Sequence, residues 1–210
     1  MARPVAITSE VVEIIDDKAA HDQFKKHLQG RPKLKKLQEE ATRRGYQAHD
    51  QPEETFGIRV KTRANQDVRP KAGIRGKPVR EIEFELVGQS ISKGDDQGAV
   101  ATTTIRAGDQ EETYEMLLEA PRGNFSQARE FTIERDKVVE ANSWWSAWVG
   151  CLRSNCASAC LNALFSCSGT WTAYFWCVVA RCGGCVLRCA ACSTCDCSWW
   201  CRWAAGCCDR

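Results

Sequence analysis

The distribution of cysteine and tryptophan constrains this chain more than any other feature of its sequence. All 14 cysteines and all 8 tryptophans lie between Ser143 and Arg210, and residues 1–142 contain neither. Cysteine accounts for 14 of the 68 residues from Ser143 to Arg210. This share is well above the roughly 8–10% that is typical of a disulfide scaffold. The sequence therefore predicts two units: a cysteine-free leader (residues 1–142) and a small cross-linked domain, the tail (residues 143–210).

The net charge of the two units excludes one class of function. The tail carries five Arg and two Asp, and the leader holds 24 Lys and Arg against 25 Asp and Glu. Neither unit has the basic excess that is expected of a nucleic-acid-binding domain. We expect no nucleic-acid partner.

Hydrophobic periodicity in the leader predicts an α+β fold. Apolar residues at helical spacing predict a first helix over Ser9–Gln29 and a second over Lys33–Arg44. Alternation of apolar and polar residues then predicts strands. The predicted strands contain Phe56 to Val60, Ile82 to Leu86, Ala99 to Ile105, and Phe131 with Ile133. We predict two helices followed by a small antiparallel meander that is marginally stable alone.

The spacing of the tail cysteines predicts a mainly helical domain. Four cysteines spaced by three, four and three residues share one helical face, and three spaced by four and seven share another. Such residues point the same way, so they are placed to bond across to a facing element. A disulfide-linked helical hairpin would pair the cysteines of the two faces, although Gly183 and Gly184 weaken the second helix. Each set of cysteines on one helical face is called a stripe: Cys182, Cys185, Cys189 and Cys192 form one, and Cys156, Cys160 and Cys167 form the other.

An even number of cysteines suits complete pairing into disulfides. A domain this short buries too little surface to be secure without cross-links, and each disulfide contributes about 2–4 kcal/mol. Disulfides persist outside the cytosol, so we expect the mature tail to be secreted. The N-terminal residues lack the apolar core of a secretory signal, which leaves the export route open. The predicted disulfide cysteines are Cys151, Cys156, Cys160, Cys167, Cys177, Cys182, Cys185, Cys189, Cys192, Cys195, Cys197, Cys201, Cys207 and Cys208.

A near-repeat of tryptophans brackets the tail and has two interpretations. The rings either close the ends of a small core, or form an interfacial belt, because indole prefers the membrane–water boundary. With the tail arginines, a belt would suit an anionic target membrane. The candidate membrane contacts are Trp144, Trp145, Trp148, Trp199, Trp200, Trp203, Arg153, Arg181, Arg188 and Arg202.

Two other uses of the cysteines remain open. CxxC pairs such as Cys182–Cys185 and Cys189–Cys192 have the spacing of zinc or metallothionein-like thiolate clusters. The serines and threonines of the tail also allow thioether rings. Disulfides need neither a metal nor modifying enzymes, so we expect no cofactor and no metal. The three histidines, His21, His27 and His49, are interpreted as solvated surface residues, and no motif predicts an enzyme.

The boundary between the units lies where the charged sequence REFTIERDKVVEAN gives way to SWWSAW. A protease site there would fall at Ala141, Asn142 or Ser143. The layout and the cysteine spacing resemble the halocin C8-type bacteriocin precursors. The residues that carry the resemblance are Cys156-Ala-Ser-Ala-Cys160, the six-residue gap to Cys167, the dense region Cys177–Cys201 and Ala204-Ala-Gly-Cys207-Cys208.

The resemblance implies a secreted antimicrobial peptide that is released from its precursor and acts on the envelope of competing cells. It implies that the leader binds the tail as an intramolecular partner and confers immunity, and that a processing protease and an exporter act on the chain. This sequence departs from the family pattern in lacking an N-terminal twin-arginine signal and in having more Cys and Trp.

Overall fold

A computed structural model describes residues 7–68, 79–108, 110–141, 144–156 and 158–194. Within these residues, the leader has eight strands and two α-helices, and the tail has four α-helices. The strands are β1 (Ile7–Ile14), β2 (Gln47–Ala48), β3 (Thr55–Val68), β4 (Val79–Lys93), β5 (Asp96–Ala107), β6 (Gln110–Ala120), β7 (Arg129–Glu134) and β8 (Lys137–Ala141). The helices are α1 (Asp17–Gly30), α2 (Pro32–Arg43), α3 (Trp144–Asn155), α4 (Ser158–Ser166), α5 (Trp171–Cys182) and α6 (Gly184–Thr194).

The strands form one antiparallel sheet. Its order is β1-β3-β4-β5-β6-β7-β8, and the short β2 pairs with β4. The long central strands β4 and β5 pair from Glu83 with Arg106 to Lys93 with Asp96 without interruption. Strands β3 to β8 pair in the order in which they occur along the chain, so the sheet is a meander with β1 added at one edge.

Both faces of the sheet are covered, and this separates the core into two layers. Successive strand residues point to opposite faces, so Val87 packs with α1 and α2 while Leu86 packs with the tail helices. Phe24, Leu34 and Leu37 are fully buried on the first side. The tail is therefore the second apolar cover of the leader sheet rather than a separate globule.

The predicted α+β class and the helical tail are confirmed, but the predicted order of the leader elements is wrong. The chain begins with strand β1, and the region predicted as one helix over Ser9–Gln29 divides at Asp16, whose side chain caps α1 by accepting from the Ala19 amide at 3.0 Å. Val11 and Val12 are β-branched, which favours the strand, and they are 59% and 43% exposed.

The sheet is also larger than predicted. Strand β6 was missed because its Glu-rich sequence and adjacent Leu117 and Leu118 lack simple alternation, although each leucine is buried on a different face. The second predicted helix, Lys33–Arg44, is confirmed within one residue at each end.

A polar cluster lies between α1 and the sheet and corrects the interpretation of one histidine. The His27 side chain is only 12% exposed and lies 4.0 Å from the carboxylate of Glu85, which is 2% exposed. Hydrogen bonds from Arg59 hold that carboxylate at 2.9 and 3.2 Å. His27 therefore lies against a buried ion pair of Glu85 and Arg59 under α1 and is not a solvated surface residue.

This cluster predicts a pH dependence of stability. Burial lowers the pKa of His27 below its usual 6.5, and the charge of Arg31 lowers it further against the opposing effect of Glu85. The folded chain then binds fewer protons than the unfolded chain below about pH 6.5, so stability falls as the pH is lowered until the folded pKa is passed. His27→Gln should lose less stability between pH 7 and 5 in urea unfolding, whereas Lys18→Gln on the exposed face of α1 should follow the wild type. A variant with the wild-type slope would contradict this.

Candidate functional site

The candidate functional site is the interface between the tail helices and the leader sheet. The tail folds as two arms, α3 with α4 and α5 with α6, that run antiparallel, so the predicted hairpin is present with each arm broken. The second arm bends by 115° at Gly183, whose φ of +55° lies in the region that favours glycine. Among the described residues, the α5–α6 pair has the length and apolar composition of a bent membrane span, and no single helix does.

Between cysteines of the described residues, four disulfides join the two arms as successive cross-links. Each joins one arm to the other, and the pairs are nested so that the shortest loop closes at the tip. Their Cα–Cα distances run from 4.8 to 5.9 Å, which is the usual range for a disulfide. The pairs are Cys151–Cys189, Cys156–Cys185, Cys160–Cys182 and Cys167–Cys177.

Two of these four disulfides join one predicted cysteine stripe to the other: Cys156 bonds to Cys185, and Cys160 bonds to Cys182. The other two pair a stripe residue with a cysteine outside the stripes, Cys189 with Cys151 and Cys167 with Cys177. Cys192 is disulfide-bonded as well. The remaining predicted disulfide residues, Cys195, Cys197, Cys201, Cys207 and Cys208, lie outside the described residues.

Aromatic side chains of the tail form most of its contact with the sheet. Trp144, Trp145 and Trp148 are 4%, 8% and 3% exposed, and the Trp148 ring lies 6.0 Å from that of Trp144 and 4.8 Å from that of Trp145, from centroid to centroid. On the second arm, Phe175 packs on Phe56 of β3 with 4.7 Å between centroids. A residual cavity of about 30 Å³ lies among these rings, so the interface is packed like a protein core.

One buried carboxylate of the leader holds the start of the tail. Glu130 of β7 is 1% exposed and accepts hydrogen bonds from the backbone amides of Trp144 (3.3 Å) and Trp145 (2.6 Å), and from the Tyr114 hydroxyl. The first amides of a helix have no intrahelical acceptor, and a negative charge near them is stabilising. Glu130 therefore caps α3 from another element of the fold.

Hydroxyl groups of the sheet hold both ends of the second arm. Ser90 accepts from the Thr172 amide at 2.9 Å and lies 2.7 Å from the Thr172 hydroxyl. At the other end, the Thr194 hydroxyl donates to Thr103 at 3.0 Å and accepts from the indole of Trp144 at 2.9 Å. These buried groups satisfy each other, which fixes how the tail lies on the sheet.

The Ser90 contact gives a direct test of the docked position of α5. Ser90→Ala leaves the Thr172 hydroxyl and amide without this acceptor, so the free energy of unfolding should fall by about 1–3 kcal/mol. The matched control is Ser92→Ala, which removes a hydroxyl that bonds His49 at the leader surface. Equal losses in the two variants, measured in guanidinium, would argue against this contact.

The residues that were predicted to contact a membrane differ in their exposure. Trp144, Trp145 and Trp148 belong to the core of the intact chain, which corrects their interpretation as surface contacts in this state. Arg153, Arg181 and Arg188 are exposed to solvent. Trp199, Trp200, Trp203 and Arg202 lie outside the described residues.

The predicted cleavage region adjoins this interface. Ala141 is the last residue of β8 and is half-buried, and the described chain resumes at Trp144 in the first turn of α3. Asn142 and Ser143 lie outside the described residues. Glu130, which caps α3, pairs with Ala141 in the sheet, so Ala141 lies beside the cap of α3.

Sequence reasoning missed the polar residues of the leader that hold the tail. Glu130 stands among alternating charged residues, and Ser90 and Thr103 lie in ordinary strand sequences. The alternation itself was a usable signal, because Glu130 precedes the buried Phe131 and must therefore point to the opposite face. Comparisons with protein-family models, curated proteins and solved structures found no match for this chain.

Proposed function

We propose that the chain is the precursor of a secreted, disulfide-linked antimicrobial peptide, in which the leader binds the tail and keeps its apolar surface from a membrane. The observation that carries the proposal is the burial of the tail's aromatic residues against a sheet of the same chain. Trp144, Trp145, Trp148 and Trp171 all lie in that contact with 8% exposure or less. The membrane-active surface then becomes available only when tail and leader separate.

The disulfides support the part of this proposal that concerns the released tail. Four cross-links between its arms do not involve the leader, so they remain when the peptide bond at the boundary is cut. Cross-links restrict the unfolded chain and each contributes about 2–4 kcal/mol. The tail thereby keeps its paired helices after it leaves the sheet.

The charge distribution supports an envelope target. Residues 144–194 contain Arg153, Arg181 and Arg188 and no acidic residue. All three arginines are exposed to solvent. Attraction to an anionic membrane precedes insertion of the aromatic face, because basic residues near such a surface each contribute about 1 kcal/mol. The role is binding and membrane damage, with no catalytic residue.

The leader has a second role in the proposal. The sheet face that holds the tail of its own chain has the shape and the polar anchors to bind a released tail again. A producing cell that keeps the leader is thereby protected from its own peptide. The chain also requires a processing protease and an exporter as partners.

The experiment is intact-mass spectrometry of the product in the culture supernatant, with and without reduction and alkylation. The expected product is a fragment that begins near Ser143 and gains one hydrogen per cysteine on reduction. A full-length chain that stays inside the cells with alkylatable thiols would overturn the proposal. A fragment carrying dehydrated serines instead of disulfides would replace it with a thioether-modified peptide.

A further inference from the structure

We propose that the reduced form of the intact chain binds one zinc ion between α3 and α6. The ligands are the sulfurs of the residues that form two neighbouring disulfides in the oxidised chain. These residues, Cys151, Cys156, Cys185 and Cys189, form the four-cysteine cluster. This inference does not rest on the proposed function, since it concerns the chain before oxidation.

The positions of the sulfur atoms carry the inference. The Sγ atoms of Cys156, Cys185 and Cys189 all lie within 4.8 Å of one another, and that of Cys151 is bonded to Cys189. Four sulfurs around a tetrahedral zinc, with Zn–S of about 2.3 Å, lie about 3.8 Å apart. Opening the two S–S bonds moves the paired atoms apart toward this spacing without moving either helix far.

The frame that holds these sulfurs does not depend on the disulfides. The Trp148 indole on α3 donates to the Val186 carbonyl on α6 at 3.1 Å, and the Trp144 indole donates to Thr194 at 2.9 Å. Leu152 and Leu187 are buried in the same contact, at 0% and 2% exposure. The docked sheet holds both helices from below, so reduction leaves the four-cysteine cluster assembled in the intact chain.

The groups around the cluster suit thiolates. The side-chain NH2 of Asn155 lies 3.6 Å from the Cys151 sulfur, to which it can donate a hydrogen bond. Hydrogen bonds of this kind orient metal ligands. A zinc ion with four thiolates carries a charge of −2, and the segments that supply the ligands, 151–156 and 185–189, contain Arg153 and Arg188 and no acidic residue. Positive charges also favour the thiolate over the thiol.

The zinc site forms in two steps, reduction of the two disulfides and then metal binding. A dithiol reductant cleaves each S–S bond by transferring two electrons and two protons, becomes a disulfide itself, and leaves two thiols on the chain. Zinc then binds the four thiolates, and four protons go to solvent. Cytosolic conditions keep thiols reduced, so zinc occupies the site where the chain is made. Exchange with an external disulfide reverses the first step: for each bond re-formed, the external disulfide takes up two electrons and two protons and leaves as two thiols, and the zinc ion is released to solvent.

The first test uses the unaltered full-length chain, reduced with a phosphine under anaerobic conditions and loaded with Zn²⁺. Alkylation followed by peptide mass spectrometry reports which thiols the metal protects. We expect Zn²⁺ to slow alkylation at the four-cysteine cluster and to leave Cys167 and Cys177 unprotected. Equal alkylation at all six positions, or equal protection of the control pair, would overturn the proposal.

The second test compares two double variants that each remove one disulfide. Cys156→Ser/Cys185→Ser should lose one bound zinc per chain, measured by elemental analysis, whereas Cys167→Ser/Cys177→Ser should lose none. In the Co²⁺-loaded chain, Asn155→Ala should weaken metal binding about tenfold, the lower end of the effect of such supporting groups. Unchanged zinc content in the first variant would exclude the site, and the alkylation pattern stands even if a variant fails to fold.

Discussion

Trp148→Ala should lower the free energy of unfolding of the oxidised full-length chain by about 3–5 kcal/mol. The indole is 3% exposed, packs on Trp144 and Trp145, and donates to the Val186 carbonyl. Its removal leaves a cavity at the centre of the tail–sheet contact and an acceptor without its donor. Guanidinium unfolding followed by circular dichroism measures the loss.

The matched control for this variant is Trp176→Ala on α5. Trp176 is half-buried and contacts the neighbouring Phe175 at 5.1 Å between centroids. Its replacement should cost about 1 kcal/mol, as is usual for a partly exposed residue. If the two variants lost equal stability, the tryptophans of α3 would not be the main apolar contact between tail and sheet.

Glu130→Gln should destabilise the chain by about 1.5–3 kcal/mol, the range for hydrogen bonds to a charged group. The amide that replaces one carboxylate oxygen cannot accept from both Trp144 and Trp145, so one helix amide loses its partner. The variant also removes a negative charge from the start of α3. Unfolding gives the magnitude, and the hydrogen-exchange rates of the two tryptophan amides, followed by NMR, locate it.

Glu134→Gln is the control, since it makes the same chemical change on the same strand at an exposed position. It should change stability by less than about 0.5 kcal/mol. Faster exchange at both tryptophan amides in the Glu134 variant, or unchanged exchange in the Glu130 variant, would show that the carboxylate does not cap α3.

The parts of the fold that were predictable are those in which local pattern and tertiary contact agree. The strands around Phe56 and Phe84 alternate because one face packs on the tail and the other on polar groups or helices. The helical spacing of the tail cysteines was informative because each disulfide requires two side chains to face one another. Their nested pairing follows from that geometry once the two arms are antiparallel.

The remaining features depend on contacts that the sequence does not display. The segment around Val11 has helical spacing, but β1 gains hydrogen bonds from the edge of β3, which outweigh the local pattern. The predicted separation into two units rested on composition, and composition does not show that the leader has a second apolar sheet face. The tail covers that face, which explains why the leader sequence looked poor in core residues.

Dye release from vesicles rich in anionic lipid tests whether the leader masks a membrane-active surface of the tail. A full-length chain with a specific protease site inserted at the 141–143 boundary is compared before cleavage, and after cleavage and separation of the tail. We expect little dye release by the intact chain and strong release by the separated tail. Adding the leader fragment back should suppress the release by the tail. Equal activity of the intact chain, or an inactive separated tail that keeps its disulfides, would contradict this expectation.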